Sequence, residues 1–244
     1  MLRLNSAADL PKSAEPLKFL PKFLVLLTLL SACGDEKVVT PGPGDAYFPL
    51  EKGIFQVYTV KEVLYSVAEN PVQLNYELQC EVVDSFPSGN GEYTYVVHRS
   101  IRPGEGDDWE MLDTWSVRKN QREIVVSEGN TAFVKIRFPL RPENVWDGNV
   151  FNAMGEDEYS LKGIHQPAEV NGMTFENTLT VEQELNEDPI VFHDERTEVY
   201  AMNVGLVYKK TVQLNYCTAD ACLGQQKVDE GRELQMLIKE YGKR

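Results

Sequence analysis

The chain has 244 residues and a formal charge of −14, from 24 basic and 38 acidic side chains. A surface of that sign repels phosphate backbones, which excludes a nucleic-acid partner. With 42% hydrophobic and 10% aromatic residues, the composition is that of a folded domain rather than a disordered chain.

The first element in chain order is an export signal. Lys18 and Lys22 precede the apolar run Phe23–Leu30, and Ser31-Ala32-Cys33 follows it. The run is shorter than the roughly 20 residues that span a bilayer, and its flanks suit a cleaved leader. Small residues between an aliphatic residue and a cysteine form a bacterial lipoprotein signal, which predicts acylation of Cys33 as the mature N-terminus. Each buried CH₂ of an acyl chain adds about 0.8 kcal/mol, and stable anchoring takes more than one chain. An ordinary signal peptide with an incidental cysteine is the competing reading. Residues 1–16 fit a leader poorly, because Asp9 and Glu15 are acidic and Pro11 and Pro16 break a helix. Translation is therefore expected to start near Leu17, with 17–32 as the signal peptide. Residues 33–46, with Pro41-Gly42-Pro43-Gly44, read as a lipidated tether, and 47–244 as one β-rich domain.

From Tyr47 onward the hydrophobic period is two. Leu74, Tyr76, Leu78, Cys80 and Val82 alternate with polar neighbours, as do Met173, Phe175, Leu179 and Val181. Leu206, Tyr208, Val212, Leu214 and Tyr216 form a third dry face, opposite Val207, Lys209, Thr211, Gln213 and Asn215. Successive strand side chains point to opposite faces, so each segment predicts an antiparallel strand with one dry and one wet side. Further strands are expected over 54–65, 92–101, 110–118, 122–128, 131–138, 158–165, 195–202 and 233–241. Turn chemistry separates them at Ser88–Gly91, Glu128–Asn130, Asn171-Gly172 and Asn203–Gly205. The only helical signal is a short turn within Asn149–Asp157. Ten or eleven strands predict an all-β single domain, a strongly curved sheet, open barrel or sandwich.

Three cysteines follow the anchor. Export places them in an oxidising space, where Cys217 and Cys222 are close enough in sequence for a disulfide across a hairpin or loop. Cys80 falls on the dry face of its strand and reads as a buried free thiol.

The candidate chemistry is sparse. His98, His165 and His193 lie far apart, without metal-site spacing, and His193-Asp194-Glu195 reads as a charged turn. The acidic loops Gly104–Asp108 and Gly155–Glu158 lack the spacing of an EF-hand loop, although calcium binding there is a rival reading. No nucleophile elbow, P-loop or dinucleotide fingerprint is present, so no catalytic residue, metal or cofactor is assigned. Trp109, Trp115, Trp146, Tyr93, Tyr95 and Tyr159 are either a ligand-stacking surface or core plugs, the second being the commoner use of such rings.

Three stretches carry a family resemblance. Tyr47-Phe-Pro-Leu50 with Gly53, Phe55 and Tyr58, Phe138-Pro-Leu140 with Asn144–Asn149 around Trp146, and Val199–Lys209 around Val204-Gly205-Leu206-Val207 together resemble uncharacterised Bacteroidota-type lipoproteins. Phe55 stands where tryptophan is frequent. The resemblance implies an envelope location and a β-rich fold, with no catalytic residue attached. Asp35 and Glu36 resemble a surface-export signal, which leaves both the cell surface and the periplasmic face of the outer membrane open. The expected function is a lipid-anchored binding or scaffold module without catalysis, holding an unidentified protein or ligand. A carrier for an apolar ligand in a concave sheet is the first alternative, and an open, dry cavity would be its sign. A hydrolase using carboxylates or a metal is the second.

Overall fold

The computed structural model describes residues 44–89 and 92–244; Cys33, the leader, most of the tether and the tip of the Ser88–Gly91 turn lie outside the described residues. Twelve strands follow one another: β1 (Ile54–Ser66), β2 (Glu69–Gly89), β3 (Glu92–Arg102), β4 (Glu110–Lys119), β5 (Glu123–Glu128) and β6 (Thr131–Arg137), then β7 (Val145–Asp147), β8 (Glu158–Val170), β9 (Met173–Asp188), β10 (Phe192–Ala201), β11 (Gly205–Tyr216) and β12 (Val228–Lys243). All belong to one antiparallel sheet, in the order β6-β5-β4-β3-β2-β1-β12-β11-β10-β9-β8-β7. The chain is thus two six-stranded meanders joined where the first strand pairs with the last, from Ile54 opposite Lys243 to Tyr65 opposite Gly231.

The sheet curls until its two edges almost meet. At the seam Val134 N donates to Gly148 O at 2.9 Å, Trp146 Nε1 donates to Val134 O at 2.8 Å, and Asn152 Nδ2 donates to Ala132 O at 2.8 Å. Such closure removes the exposed edges that an open sheet would offer to other chains. Trp146 is buried and meets Tyr159 edge-on, with ring centroids 6.1 Å apart. Gly148 lies against the same tyrosine ring, where any Cβ would collide with it.

The turns follow their sequence signals. Asn171 and Gly172 take φ of 52° and 76° between β8 and β9, the left-handed pair that a type I′ turn needs. Asn203 and Gly205 (φ 64° and 97°) turn β10 into β11, and Asn203 N donates to Ala46 O at 2.6 Å.

Four features differ from the periodicity. Gly44–Tyr47 form a 3-10 turn with Gly44 and Tyr47 buried, so packed structure begins three residues inside the expected tether. Val145–Asp147 is a strand that the pattern did not show, being only three residues long. Asn149–Asp157 holds turns and bends with no helix, its backbone N–H groups at Asn149, Met154 and Asp157 bonding to the Asp147 and Asn152 side chains instead of to a helical ladder. On β11 the interior face between Val207 and Thr211 is the one expected to be wet: Val207 and Thr211 are buried, while Leu206, Tyr208 and Val212 are only partly so. Leu214 and Tyr216 farther along are buried as expected.

The three motif stretches meet in one core. Tyr47, Leu50, Phe138, Trp146, Tyr159 and Tyr200 pack together, with Phe48 and Leu206 against them. A second core gathers Tyr58, Val60, Phe175, Val207 and Ile238. The tip of the β8–β9 hairpin is fixed beside it by Asn171 Nδ2 donating to Ile238 O at 3.0 Å. Trp146→Phe keeps the ring and removes the seam hydrogen bond. It is expected to lower stability by about 1–3 kcal/mol, because a buried acceptor loses its partner; urea unfolding monitored by circular dichroism measures this.

Candidate functional site

The polar chemistry of the barrel is concentrated inside it. On β10 the inward residues are Arg196, Glu198 and Tyr200, which the register sets opposite Thr211, Lys209 and Leu206 of β11. On β6 a bulge delivers another charge. Ile136 faces Ile124 and Val134 faces Val125, so Lys135 has no partner on β5. A bulged residue lets neighbouring side chains share a face, and Val134, Lys135 and Ile136 are all buried.

Glu198, only 2% exposed, is the centre of this network. It accepts from Lys209 Nζ at 2.9 Å and from Lys135 Nζ at 3.2 Å on one oxygen, and from the Tyr200 hydroxyl at 2.5 Å on the other. Lys135 Nζ also pairs with Glu128 Oε1 at 2.7 Å. Burial alone would raise the Glu198 carboxyl, but the two ammonium groups and the tyrosine hold it far below the usual carboxylate range. Burial would likewise lower Lys135, yet Glu128 and Glu198 raise it well above an ordinary lysine. Tyr200 is raised by burial and then by the adjacent Glu198 charge.

A second charge group stands beside the first. Arg99 Nη1 donates to both oxygens of Asp113, the shorter contact being 2.9 Å, while its guanidinium lies 3.8 Å from the Trp115 ring centroid. Burial pushes the Cys80 thiol up to about 11, against the pull of the neighbouring Arg99. Cys80 is free and partly exposed. Between these two groups lies a cavity of about 110 Å³ whose wall includes Tyr58, Leu78, Cys80, Arg99, Trp115 and Glu128. The interior is therefore filled at its aromatic core and open over a small, mixed volume.

The residues singled out in the sequence are dispersed. Trp146 and Tyr159 are core plugs, Trp115 faces the cavity, Trp109 lies under Arg102 (4.4 Å to the ring), and Tyr93 and Tyr95 line a second groove with Lys119 and Arg122, Tyr95 also packing against the core. The six therefore form no common stacking surface. His165 Nδ1 is 2.7 Å from the Tyr47 hydroxyl, His193 is 3.5 Å from Glu195, and His98 sits on β3. In the acidic loops Glu105 reaches Lys239 at 2.8 Å, and Asp157 clamps Arg196 at 2.7 and 3.0 Å. Cys217 and Cys222 are joined by a disulfide, with Cα atoms 5.8 Å apart, in the β11–β12 connection.

Glu198, Lys135, Lys209 and Arg99 were not legible as a group. Strict alternation puts Glu198 on a wet face beside Val199, and the bulge that turns Lys135 inward has no mark in the sequence.

No family model matches the chain, and no curated protein does. Among solved structures it is similar to a Bacteroides fragilis protein classed as exported, with a YmcC-like fold. The two share 11% identity, over 80% of this chain and 98% of that one, at a TM-score of 0.45. It is also similar to a Parabacteroides distasonis protein classed as a lipoprotein, with 9% identity, the same coverages and a TM-score of 0.38.

Glu198→Gln leaves Lys209 and part of the Lys135 charge buried without compensation, which is expected to cost about 3–5 kcal/mol at neutral pH. The sign with pH follows from the lowered carboxyl. Its contribution is complete above the unfolded-chain value of about 4.3 and is lost as pH falls below it. Denaturant melts at neutral and acid pH should therefore show a parent that weakens with acid, and a variant with a shallower acid limb.

Proposed function

We propose that this chain is an exported, lipid-anchored envelope protein whose barrel is a binding module without catalysis. The observation that carries the reading is the state of the interior charges. A general acid or base works best when its pKa lies near the operating pH. Glu198 and Lys135 are instead pushed apart and away from neutrality by one another and by their neighbours. Charges locked in this way fix the shape of a lumen and supply no mobile proton.

The signal ending at Cys33 supports the anchor, and the Cys217–Cys222 bridge suits an oxidising compartment. The chain enters its folded part at the 3-10 turn, which contacts the β10–β11 turn through Ala46 and Asn203. Arg244 N donates to Gly53 O at 2.9 Å, so the C-terminus lies at the start of β1. The hairpin tip between β1 and β2 and the disulfide connection lie at the opposite end, where Val67 and Leu223 are exposed. In this reading the lipid joins the domain at the end that carries the 3-10 turn, on the outer membrane's periplasmic or external face.

Metabolic labelling with an alkyne fatty acid tests the anchor: the parent should be labelled and Cys33→Ala should not, and an unlabelled parent would overturn the reading. Replacing Cys217 and Cys222 together with Ser should lower stability by about 2 kcal/mol, the loop-closure value for so short a loop. Equal melting of parent and double variant would argue against a structural bridge.

A further inference from the structure

We infer that the barrel docks on anionic phospholipid headgroups through the groove beside its tether, with Tyr93 and Phe151 at headgroup depth and arginines on the phosphates. This rests on the lipid-anchored reading and names the surface that meets the membrane.

The distribution of arginine is the first observation. Among the described residues, Arg99, Arg102, Arg196, Arg232 and Arg244 each pair with a carboxylate, whereas Arg118, Arg122, Arg137 and Arg141 pair with none. Those four all fall between the end of β4 and the approach to β7. Arg122 and Arg137 line one groove with Lys119, Tyr93 and Phe151, and Arg118 lies 6.0 Å from the Phe151 ring. Arg141 follows Leu140, against which Gly44 packs. Asp45, Glu92 and Glu123 balance the three cations that line the groove. Arg118 and Arg141 therefore leave a local excess of positive charge on a chain whose net charge is −14. An anionic layer repels the acidic remainder, so this complementarity selects the side that turns toward it. A guanidinium that holds no carboxylate can take a phosphate through two parallel hydrogen bonds.

The exposed rings are the second observation. Phe86, Tyr93, Phe151 and Tyr241 are the exposed aromatic residues among those described, while the exposed residues around the β1–β2 tip, Leu64, Val67 and Val72, are aliphatic. Tyr93 and Phe151 line the groove, and Phe86 stands opposite Thr94, one position from Tyr93. Aromatic rings beside cations match the membrane–water interface, where such rings sit at headgroup level and each arginine adds attraction to anionic lipid. Asp45 of the 3-10 turn lines the same groove. Residues 34–43 separate Cys33 from that turn and span at most about 35 Å. A lipidated Cys33 thus keeps the groove within reach of the headgroups.

All twelve strands and both cores lie within residues 44–244, inside one compact unit, so the test uses residues 34–244 with an N-terminal histidine tag in place of the acylated cysteine. The tag holds the protein on phosphatidylethanolamine–phosphatidylglycerol vesicles that contain a trace of nickel-chelating lipid. Hydroxyl-radical footprinting compares it with the same protein in solution. Tyr93 and Phe151 should be protected on the vesicles, while Met111, at the other end of β4 from Lys119, should react equally in both. The ratio of docked to undocked molecules, read from that protection, should fall about fivefold for Arg122→Gln and again for Arg137→Gln, the contribution of one arginine at an anionic surface. Phosphatidylcholine vesicles, which carry no net charge, should protect less. Tyr93 and Phe151 reacting as fast on vesicles as in solution, equal protection on the two lipids, or protection of Met111 instead would each overturn the docking surface. Both arginines are exposed, and should a variant still fail to fold, the comparison of lipids on the parent decides. Because the tag replaces the acyl group, failure of fatty-acid labelling at Cys33 would leave this footprint unchanged, so the two readings fail separately.

Discussion

The pairing of β1 with β12 is the constraint on which the rest of the structure depends. These strands are the first and last among the described residues, and their twelve-position ladder joins the two meanders into one sheet. Each meander has only local hairpin contacts of its own. Their union creates an enclosed lumen, and it does so by bringing together residues nearly two hundred positions apart. Long loop closure of this kind is entropically costly before it is rewarded. The reward is the burial of both aromatic clusters and the near-meeting of β6 and β7 at Trp146.

Closure also explains why charged residues can occupy the interior. A lysine or glutamate alone in a dry barrel would be intolerable, and would shift its pKa until it was neutral. Here the two halves contribute opposite charges to one place: Lys135 and Glu128 from the first meander, Lys209 and Glu198 from the second. Each half pairs its own lysine and glutamate, and the Lys135–Glu198 contact at 3.2 Å joins the two pairs. The network therefore acts as a register pin between the meanders, in the sense in which a buried polar contact specifies one arrangement over its near alternatives. The outer face uses the same device at Glu77, buried on β2 by Arg102 and Lys239.

Much of the scaffold was readable in the residues. The strand segments, the Asn171-Gly172 and Asn203–Gly205 turns and the antiparallel all-β class follow from period-two alternation and left-handed backbone at Asn and Gly. The candidate site was not readable to the same degree. Alternation assigns a polar residue to water, and it did so for Lys209, Thr211, Glu77 and Gln79. What it cannot register is whether the face so assigned is covered by a distant strand. The aromatic residues showed the converse difficulty: their types were visible, yet only Trp115 of the six faces the cavity.

By itself the sequence determined the acidic composition, the β class and the turn positions, because each depends on residue content or on residues close together in the chain. Tertiary structure alone decided that the sheet curls into a nearly closed barrel, that Lys135 bulges inward, and that Arg99 and Glu128 share a cavity. These depend on strand order and on a register shift of a single residue. The physical reason is the same in each case: pairing between distant strands is favoured by the summed burial of both partners, and neither partner's local sequence contains that sum.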